Sequence, residues 1–584
     1  MARTRMGAVG LAGAAALLLG ALSVAAPSAQ AQETAPGQGF SGAYLAARQA
    51  ARLNDFDAAS RYYTIALSRD ASNIGLKEEL VLAQIAMGRL DRAATVARTL
   101  EDAGKPSQLG QLSLAVREAQ ETDYAALIER IEAGRHMGEL LDQLVKAWAL
   151  VGSGDMSAAL EEFDKVIEGK GTGSFGTYHK ALALAHVGDL GGASELLEAP
   201  RPGSLIQTRR GVIARIEVLS MQGKTEEALA LIERSFGPQP GPELAPMKAA
   251  LEAGETLQFD LIDGPRAGIA EVYFTIAGAI GQETAGPDAL LFAQAAAAVD
   301  PGNVDATLLI AQRLEGIGQF DAATAAYRKV PYDHPAYHVA ELGRAETLRQ
   351  AGKQDAAIEV MEQLAESHAE LAVVHSAMGD LMRSEDRWEE AVAAYDRALE
   401  LRGGAESDDW RTFYTRGIVH ERLDNWDRAE ADFRRALEIR PDEPNVLNYL
   451  GYSLVEQQRK LGEALEMIER AVAARPESGY IIDSLGWALF RLGRYEEAVP
   501  HMERAAELMS IDPVINDHLG DVYWAVGRKL EARFQWKRAL SFIDHGTASE
   551  DADPERIRRK LEKGLDAVLE EEGSEPLQLA NDET

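Results

Sequence analysis

"DSLGWALFRLGRYEEA" at 483–498 and "DHLGDVYWAVGRKLEA" at 517–532 lie 34 residues apart and share one plan. Each carries a Leu-Gly pair, an aromatic, a Gly-Arg pair and then Glu-Ala. Two glycines in so short a stretch serve either a loop that cradles phosphate or a place where two helices touch. The neighbouring units decide between the two. Gly520 precedes Ala532 by 12 residues, as Gly486 precedes Ala498, Gly417 precedes Ala429 and Gly379 precedes Ala391; Gly451 precedes Ala464 by 13. Upstream, Ala345, Ala311 and Ala277 take the first place, with Ala357, Ala323 and Ala289 as partners. Steps between first positions from 277 to 520 are 34, 34, 34, 38, 34, 35 and 34, a period that marks stacked helical repeats. Alanine in the same place means that no positive φ is needed there, only a small side chain. The opening glycines are for packing.

Each unit reads as two helices. In "YIIDSLGWALFRLG", Ile482, Leu485, Leu489 and Leu492 fall at helical spacing and Gly493 ends the segment. "RYEEAVPHMERAAELM" follows, with Ala498, Met502 and Ala505 on one face. The spacing predicts an all-α solenoid of antiparallel helix pairs.

The residues that recur also carry a resemblance. "YTRGIVHERLDNWDRAEADFRRALEIRPDEP" at 414–444 and "AQRLEGIGQFDAATAAYRKVPYDHP" at 311–335 resemble the tetratricopeptide repeat. "LNYLGYSLVEQQRKLGEALEMIERAV", "DSLGWALFRLGRYEEAV" and "NDHLGDVYWAVGRKLEARFQW" are similar to a proteobacterial envelope family of such proteins. The resemblance implies a right-handed superhelix that binds protein or peptide partners. Some members of that family are lipoprotein adaptors that bring substrates to a carboxy-terminal processing protease. The lipid-bearing cysteine of those members has no counterpart here, since the chain has no cysteine.

The N-terminal half repeats the plan with weaker signals. Ala47, Val81, Ala115, Ala147, Ala181 and Ile216 take the first position. "NDFDAASRYYTIAL" (54–67) and "GDMSAALEEFDKVI" (154–167) read as second helices. From 237 to 268 the repeat fails, because "GPQPGPELAP" and "IDGPRAG" carry helix-stopping prolines and glycines. The expected organisation is a signal peptide at 1–31, a linker at 32–43, a divergent array at 44–236 and the irregular stretch at 237–268. A second array follows at 269–546, then a capping helix over Arg556–Leu569 and an acidic tail within 547–584.

"MARTRMGAVGLAGAAALLLGALSVAAPSAQAQET" has a basic start, an apolar run and the small-x-small pattern "AQA" at 29–31. This predicts export with cleavage after Ala31 and a periplasmic mature protein with no membrane span. A formal charge of −33, from 93 acids against 60 bases, opposes binding to a nucleic-acid backbone. The lack of cysteine removes disulfides, zinc–thiolate sites and thiol nucleophiles together.

No catalytic constellation emerges, and no cofactor or metal is expected. "EGKGTGSFG" at 168–176 departs from a phosphate loop, with Asp164 where the first glycine belongs. His334 and His338 are four apart without a third ligand at helical spacing. The candidate site is instead the inner wall built by the first helices. In the last units it is expected to include Asn448, Tyr452, Tyr480, Asp483, Trp487, Arg491, Asp517, Asp521 and Trp524, with Tyr414, Glu421 and Arg422 continuing the stripe upstream. Aromatics offer rigid contact area and the polar residues can hydrogen-bond an extended peptide; packing between helices is the competing role for Trp487 and Trp524. Both readings of function are non-catalytic: a periplasmic scaffold or adaptor, or a structural subunit of an envelope polysaccharide export or assembly complex.

Overall fold

The computed structural model describes residues 40–198, 205–237, 240–283, 287–404, 408–544, 552–573 and 577. The expected signal peptide and most of the linker lie outside them. Among the described residues there are thirty-one α-helices, one 3-10 turn and no strand. Two compact units divide the chain: residues up to Gly211 with Asp260–Pro301, and Val212–Phe259 with Gly302 onward.

The early helix pairs are α1 (Phe40–Arg52) with α2 (Phe56–Leu67), α3 (Ile74–Ala86) with α4 (Leu90–Asp102), and α5 (Gln108–Gln120) with α6 (Tyr124–Glu132). Next come α7 (Glu139–Gly152) with α8 (Met156–Glu168) and α9 (Gly173–His186) with α10 (Leu190–Glu198). Then α11 (Arg209–Met221), α12 (Thr225–Phe236) and α13 (Ala245–Glu252) precede the pair α14 (Pro265–Glu283) and α15 (Asp288–Val299). The following pairs are α16 (Val304–Gly316) with α17 (Phe320–Tyr327), α18 (Tyr337–Gln350) with α19 (Gln354–Ser367), and α20 (Ala372–Ser384) with α21 (Trp388–Leu401). After these come α22 (Trp410–Arg422) with α23 (Trp426–Ile439) and α24 (Pro444–Glu456) with α25 (Leu461–Ala474). The last are α26 (Gly479–Arg491) with α27 (Tyr495–Leu508) and α28 (Pro513–Ala525) with α29 (Lys529–Asp544), then α30 (Pro554–Lys563) and α31 (Leu565–Glu571).

Local chemistry starts and stops these helices. Asp55, Asn73, Asp155 and Asn303 cap second or first helices by accepting from the amide three residues on, at 2.9–3.1 Å. The turn inside a pair is closed by a left-handed residue: Gly493 has φ +74, and the next amide, Arg494 N–H, donates to Leu489 O at 2.9 Å. That six-to-one bond satisfies a carbonyl the helix end leaves free.

The glycines at the first position have no positive φ and are pressed against the second helix. A Cβ on Gly520 would lie 2.4 Å from Trp536 Nε1, one on Gly417 2.7 Å from the Phe433 ring and one on Gly379 2.5 Å from the Tyr395 ring. At Gly486 the obstacle is the Met502 thioether, at 2.3 Å. Alanine is therefore not uniformly acceptable at these sites, because what faces it differs.

In the first unit, α14 and α15 do not extend the stack. α14 packs on α7, α9 and α5, and α15 on α5 and α3, all of them first helices. The 34-residue spacing assigns this pair to the later array; its contacts assign it to the earlier unit. The cause is composition: α14 buries Ile269, Ala270, Val272, Tyr273, Ile276 and Ala277 around its circumference, so covering one face with α15 leaves another needing apolar cover. Gly268 fits where a Cβ would meet the Trp148 ring at 2.3 Å. Glu271, fully buried, accepts from Tyr178 OH at 2.8 Å and pairs with Arg210 at 2.8 Å. Trp148 Nε1–H donates to His179 Nδ1 at 3.2 Å, and His179 Nε2–H faces Thr275 Oγ1 at 3.2 Å. The inner wall of α3, α5, α7 and α9 is thus occupied by the chain itself.

Two outcomes follow for stability. Gly520→Ala should destabilise by about 1–3 kcal/mol, since the buried Trp536 ring is pinned by its bond to Asp521 and cannot retreat. Gly486→Ala should cost less, because a methionine chain can swing aside; equal losses in urea melts would contradict the ring-contact account. Burial holds the His179 imidazole at about 3, so its neutral form favours the fold above its ordinary value of about 6.5 and this stability is lost as pH falls from there towards 3. Hydrogen-exchange protection over 173–186, taken relative to the intrinsic rate at each pH, should fall on acidification in wild type and less so in His179→Gln, whose amide keeps an acceptor and a donor.

Candidate functional site

In the second unit, successive first helices touch one another, as α24 does α26 and α26 does α28. The side of the stack on which the first helices meet is its inner wall. Cross-helix bonds knit this wall. Tyr480 OH donates to Asn445 Oδ1 at 2.8 Å, and Trp487 Nε1–H donates to Glu456 Oε1 at 2.5 Å. Arg491 lies 3.3 Å from the same carboxylate. One helix on, His518 meets Asp483 at 3.0 Å, and its ring stacks on Trp487 with centroids 4.0 Å apart.

The wall then changes character. Lys560 of α30, fully buried, places Nζ 2.6 Å from Asp517 Oδ1 and 2.7 Å from Asp521 Oδ1. Trp524 Nε1–H donates to Asp566 Oδ2 of α31 at 2.9 Å. The expected capping segment is therefore two helices, and they cover α28 from the groove side.

Burial acts first on both titratable groups of this network. It opposes charge on His518, but the Asp483 carboxylate, with Asp517 and Asp521 behind it, holds the imidazole above its usual range. It lifts the Asp517 carboxyl above the usual range despite the Lys560 ammonium, and Asp521 adds to that rise. A buried Asp–His pair invites a catalytic reading, but Trp487 closes the face of the imidazole, and Ser484, next to Asp483, donates its hydroxyl to Tyr480 O at 3.0 Å. Among the described residues no cluster of three His, Asp or Glu is arranged for a metal ion. His334 and His338 each spend Nδ1 on local backbone, Ala336 N and Pro335 O.

The twelve candidate residues thus fall into two groups. Asp483 and Trp487 are buried around His518, and Asp517, Asp521 and Trp524 are buried beneath α30 and α31, so for these five packing replaces an open groove-lining role. Asn448 is also buried, and its Oδ1 meets no hydrogen-bond partner among the described residues. Tyr414, Glu421, Tyr452 and Arg491 are half-buried; Arg422 and Tyr480 are exposed. Tyr414 sits edge-on to Tyr449, 5.9 Å between centroids.

Sequence reasoning missed Glu456, His518, Lys560 and Asp566. Asp483 and His518 are 35 residues apart, one period plus one. Pairing residues at that offset would have joined them. Lys560 carries no such signal, because α30 lies outside the repeat.

Known proteins match parts of the chain. Family models described as tetratricopeptide repeat match residues 370–442 and 449–513. A TPR repeat-containing protein of Pseudomonas aeruginosa is 25% identical over 183 residues, which is 31% of this chain and 30% of that protein's own length. Among solved structures, the APC/C hetero-tetramer Cut9-Hcn1 is similar over 89% of this chain and 96% of its own, at 15% identity and TM-score 0.39. YrrB, described as a TPR protein with an unusual peptide-binding site, aligns over 32% of this chain and 95% of its own at 22% identity and TM-score 0.27. No helix among the described residues is long and apolar enough to cross a membrane. The chain is an all-α stack of antiparallel helix pairs that carries tetratricopeptide repeats at 370–442 and 449–513, the architecture of a protein-interaction scaffold.

Proposed function

We propose that this chain is a non-catalytic periplasmic adaptor that holds partner proteins against the inner wall of α20 to α26 and presents them to a carboxy-terminal processing protease. The observation that carries the groove is a contrast between inner walls. Tyr414, Glu421, Arg422, Tyr452 and Tyr480 keep accessible surface on the second unit's wall, whose end is covered by α30 and α31, while the first unit's own wall is covered by α14 and α15. Aromatic area beside charged and polar groups suits an extended peptide. The periplasmic placement rests on the basic, apolar and small-residue pattern of residues 1–31. The protease rests on the resemblance of the C-terminal repeats to envelope adaptors.

Tagged protein purified from the periplasm should carry a carboxy-terminal processing protease together with its substrates; envelope glycan-export components in their place would remove the adaptor role. N-terminal sequencing of that material should begin at Gln32. With the recovered partner, Tyr452→Ala and Arg422→Ala are each expected to weaken binding by about 2 kcal/mol, roughly thirtyfold. Helical melting should stay unchanged. Full binding with both residues gone would remove the groove.

A further inference from the structure

The helices that cover the end of the inner wall are held unequally. α30 is anchored by a buried charge, Lys560 between Asp517 and Asp521, and by the buried Ile557. α31 is separated from it by Gly564 at φ +89, where a Cβ would come within 2.4 Å of the Trp524 ring. It has seven residues and no side-chain cap, too short to be stable by itself. Leu565, Val568 and the Trp524–Asp566 bond hold it down.

Beneath α31 and Leu577 lies a cleft of about 520 Å³ that opens to solvent, walled on the other side by Trp487, Phe490, Arg491 and Tyr495. A seven-residue cover beside open space has few buried contacts, and such elements open more readily than the core below them.

Charge indicates what else suits the seat. Glu572 of α31's end lies 3.2 Å from Arg556 and 3.0 Å from Arg559, and Glu571 pairs with Lys563. With α31 lifted, these three cations of α30 lose those carboxylates, and Arg556 among them lines the cleft with the aromatic wall, in a chain of formal charge −33. We propose that α31 is a reversible lid over the C-terminal end of the groove, and that the site it covers accepts an acidic, leucine-bearing peptide segment of a partner protein. The lid's own Leu565 and Leu569, which line the cleft, are followed by Glu570, Glu571 and Glu572 and have that chemistry in cis. The inference rests on the groove reading and adds a competitor to it.

The test uses the full-length protein and a fluorescein-labelled peptide with the sequence of residues 564–573, GLDAVLEEEG. Leu565→Gln combined with Val568→Gln leaves α30 and its lysine in place. A lid open a tenth of the time or less lowers apparent affinity by about tenfold or more, so the double variant should bind the peptide at least about tenfold tighter than wild type. Added salt, or Arg559→Gln with Lys563→Gln in the opened protein, should weaken that binding. Equal binding to both proteins, or binding indifferent to those changes, overturns the proposal. A second measurement needs no variant: in wild type, amides of 565–571 should exchange faster than those of 513–525. Equal protection, or loss of cooperative melting in the double variant, makes α31 a fixed cap and also overturns it. The two readings separate cleanly. Partner binding that needs Tyr452 and Arg422 but ignores α31 leaves the groove and removes the lid. Peptide binding under the opened lid, with partner binding indifferent to Tyr452 and Arg422, does the reverse.

Discussion

The contact on which the stack depends is that of bare backbone on the first helix with a large side chain on the second. Tyr395, Phe433, Met502 and Trp536 each press into the gap left by a missing Cβ at Gly379, Gly417, Gly486 and Gly520. This sets how closely two helices lie, and therefore where the next pair can dock. A large side chain fills that gap by close packing, which suits a fold without disulfides. The same contact explains why the sequence can vary elsewhere along both helices while its period persists.

A stack of amphipathic pairs solves packing between neighbours but leaves surfaces open along its inner wall and at its ends. The two units meet that demand in different ways. In the first, α14 and α15 lie on α3, α5, α7 and α9, and the polar atoms brought into that contact find partners: Glu271 with Tyr178 and Arg210, His179 between Trp148 and Thr275. In the second, α30 and α31 cover α28 and face the end of α26, and the wall of α20 to α26 retains accessible side chains. Binding capacity and inner-wall cover are thus alternatives for the same surface.

Much of this was legible in the sequence. The 34-residue step, the small residue before each Ala and the end signal at Gly493 carry the helix pairs through both halves. What they do not carry is which pairs leave the line. Ala277 and Ala289 keep the repeat spacing in α14 and α15, yet Gly268, three residues inside the start of α14, is where that helix meets Trp148. Period reports contacts between neighbours in sequence and is blind to a helix that turns back on a distant face. The candidate site failed in part for a related cause. Trp487 and Trp524 lie on the inward face as the spacing requires, but His518 and α31 cover them, and neither cover is implied by a single repeat.

Ion pairs divide by the same logic. Arg387 with Glu390, Arg494 with Glu497 and Arg504 with Glu507 sit one helical turn apart on partly exposed faces. Pairs of that kind add little, typically about 0–1 kcal/mol. The buried ones join different helices: Arg130 reaches Glu101 and Glu118 on the two preceding helices, Arg210 reaches Glu271, and Lys560 reaches two aspartates. Taking such charges out of water has a cost that only good geometry offsets, so their net contribution to stability is small. Misplacement is what they penalise. A helix docked one turn out of register would strand Lys560 or Glu271 without a counter-charge, at several kcal/mol, whereas an apolar face can slide with modest loss. Glu271 and Lys560 therefore act where the repeat itself supplies no register, on the α14–α15 pair and at the cap. α31 brings no buried charge to the wall: its position rests on apolar burial, one indole bond and the part-exposed ion pairs of its end with α30.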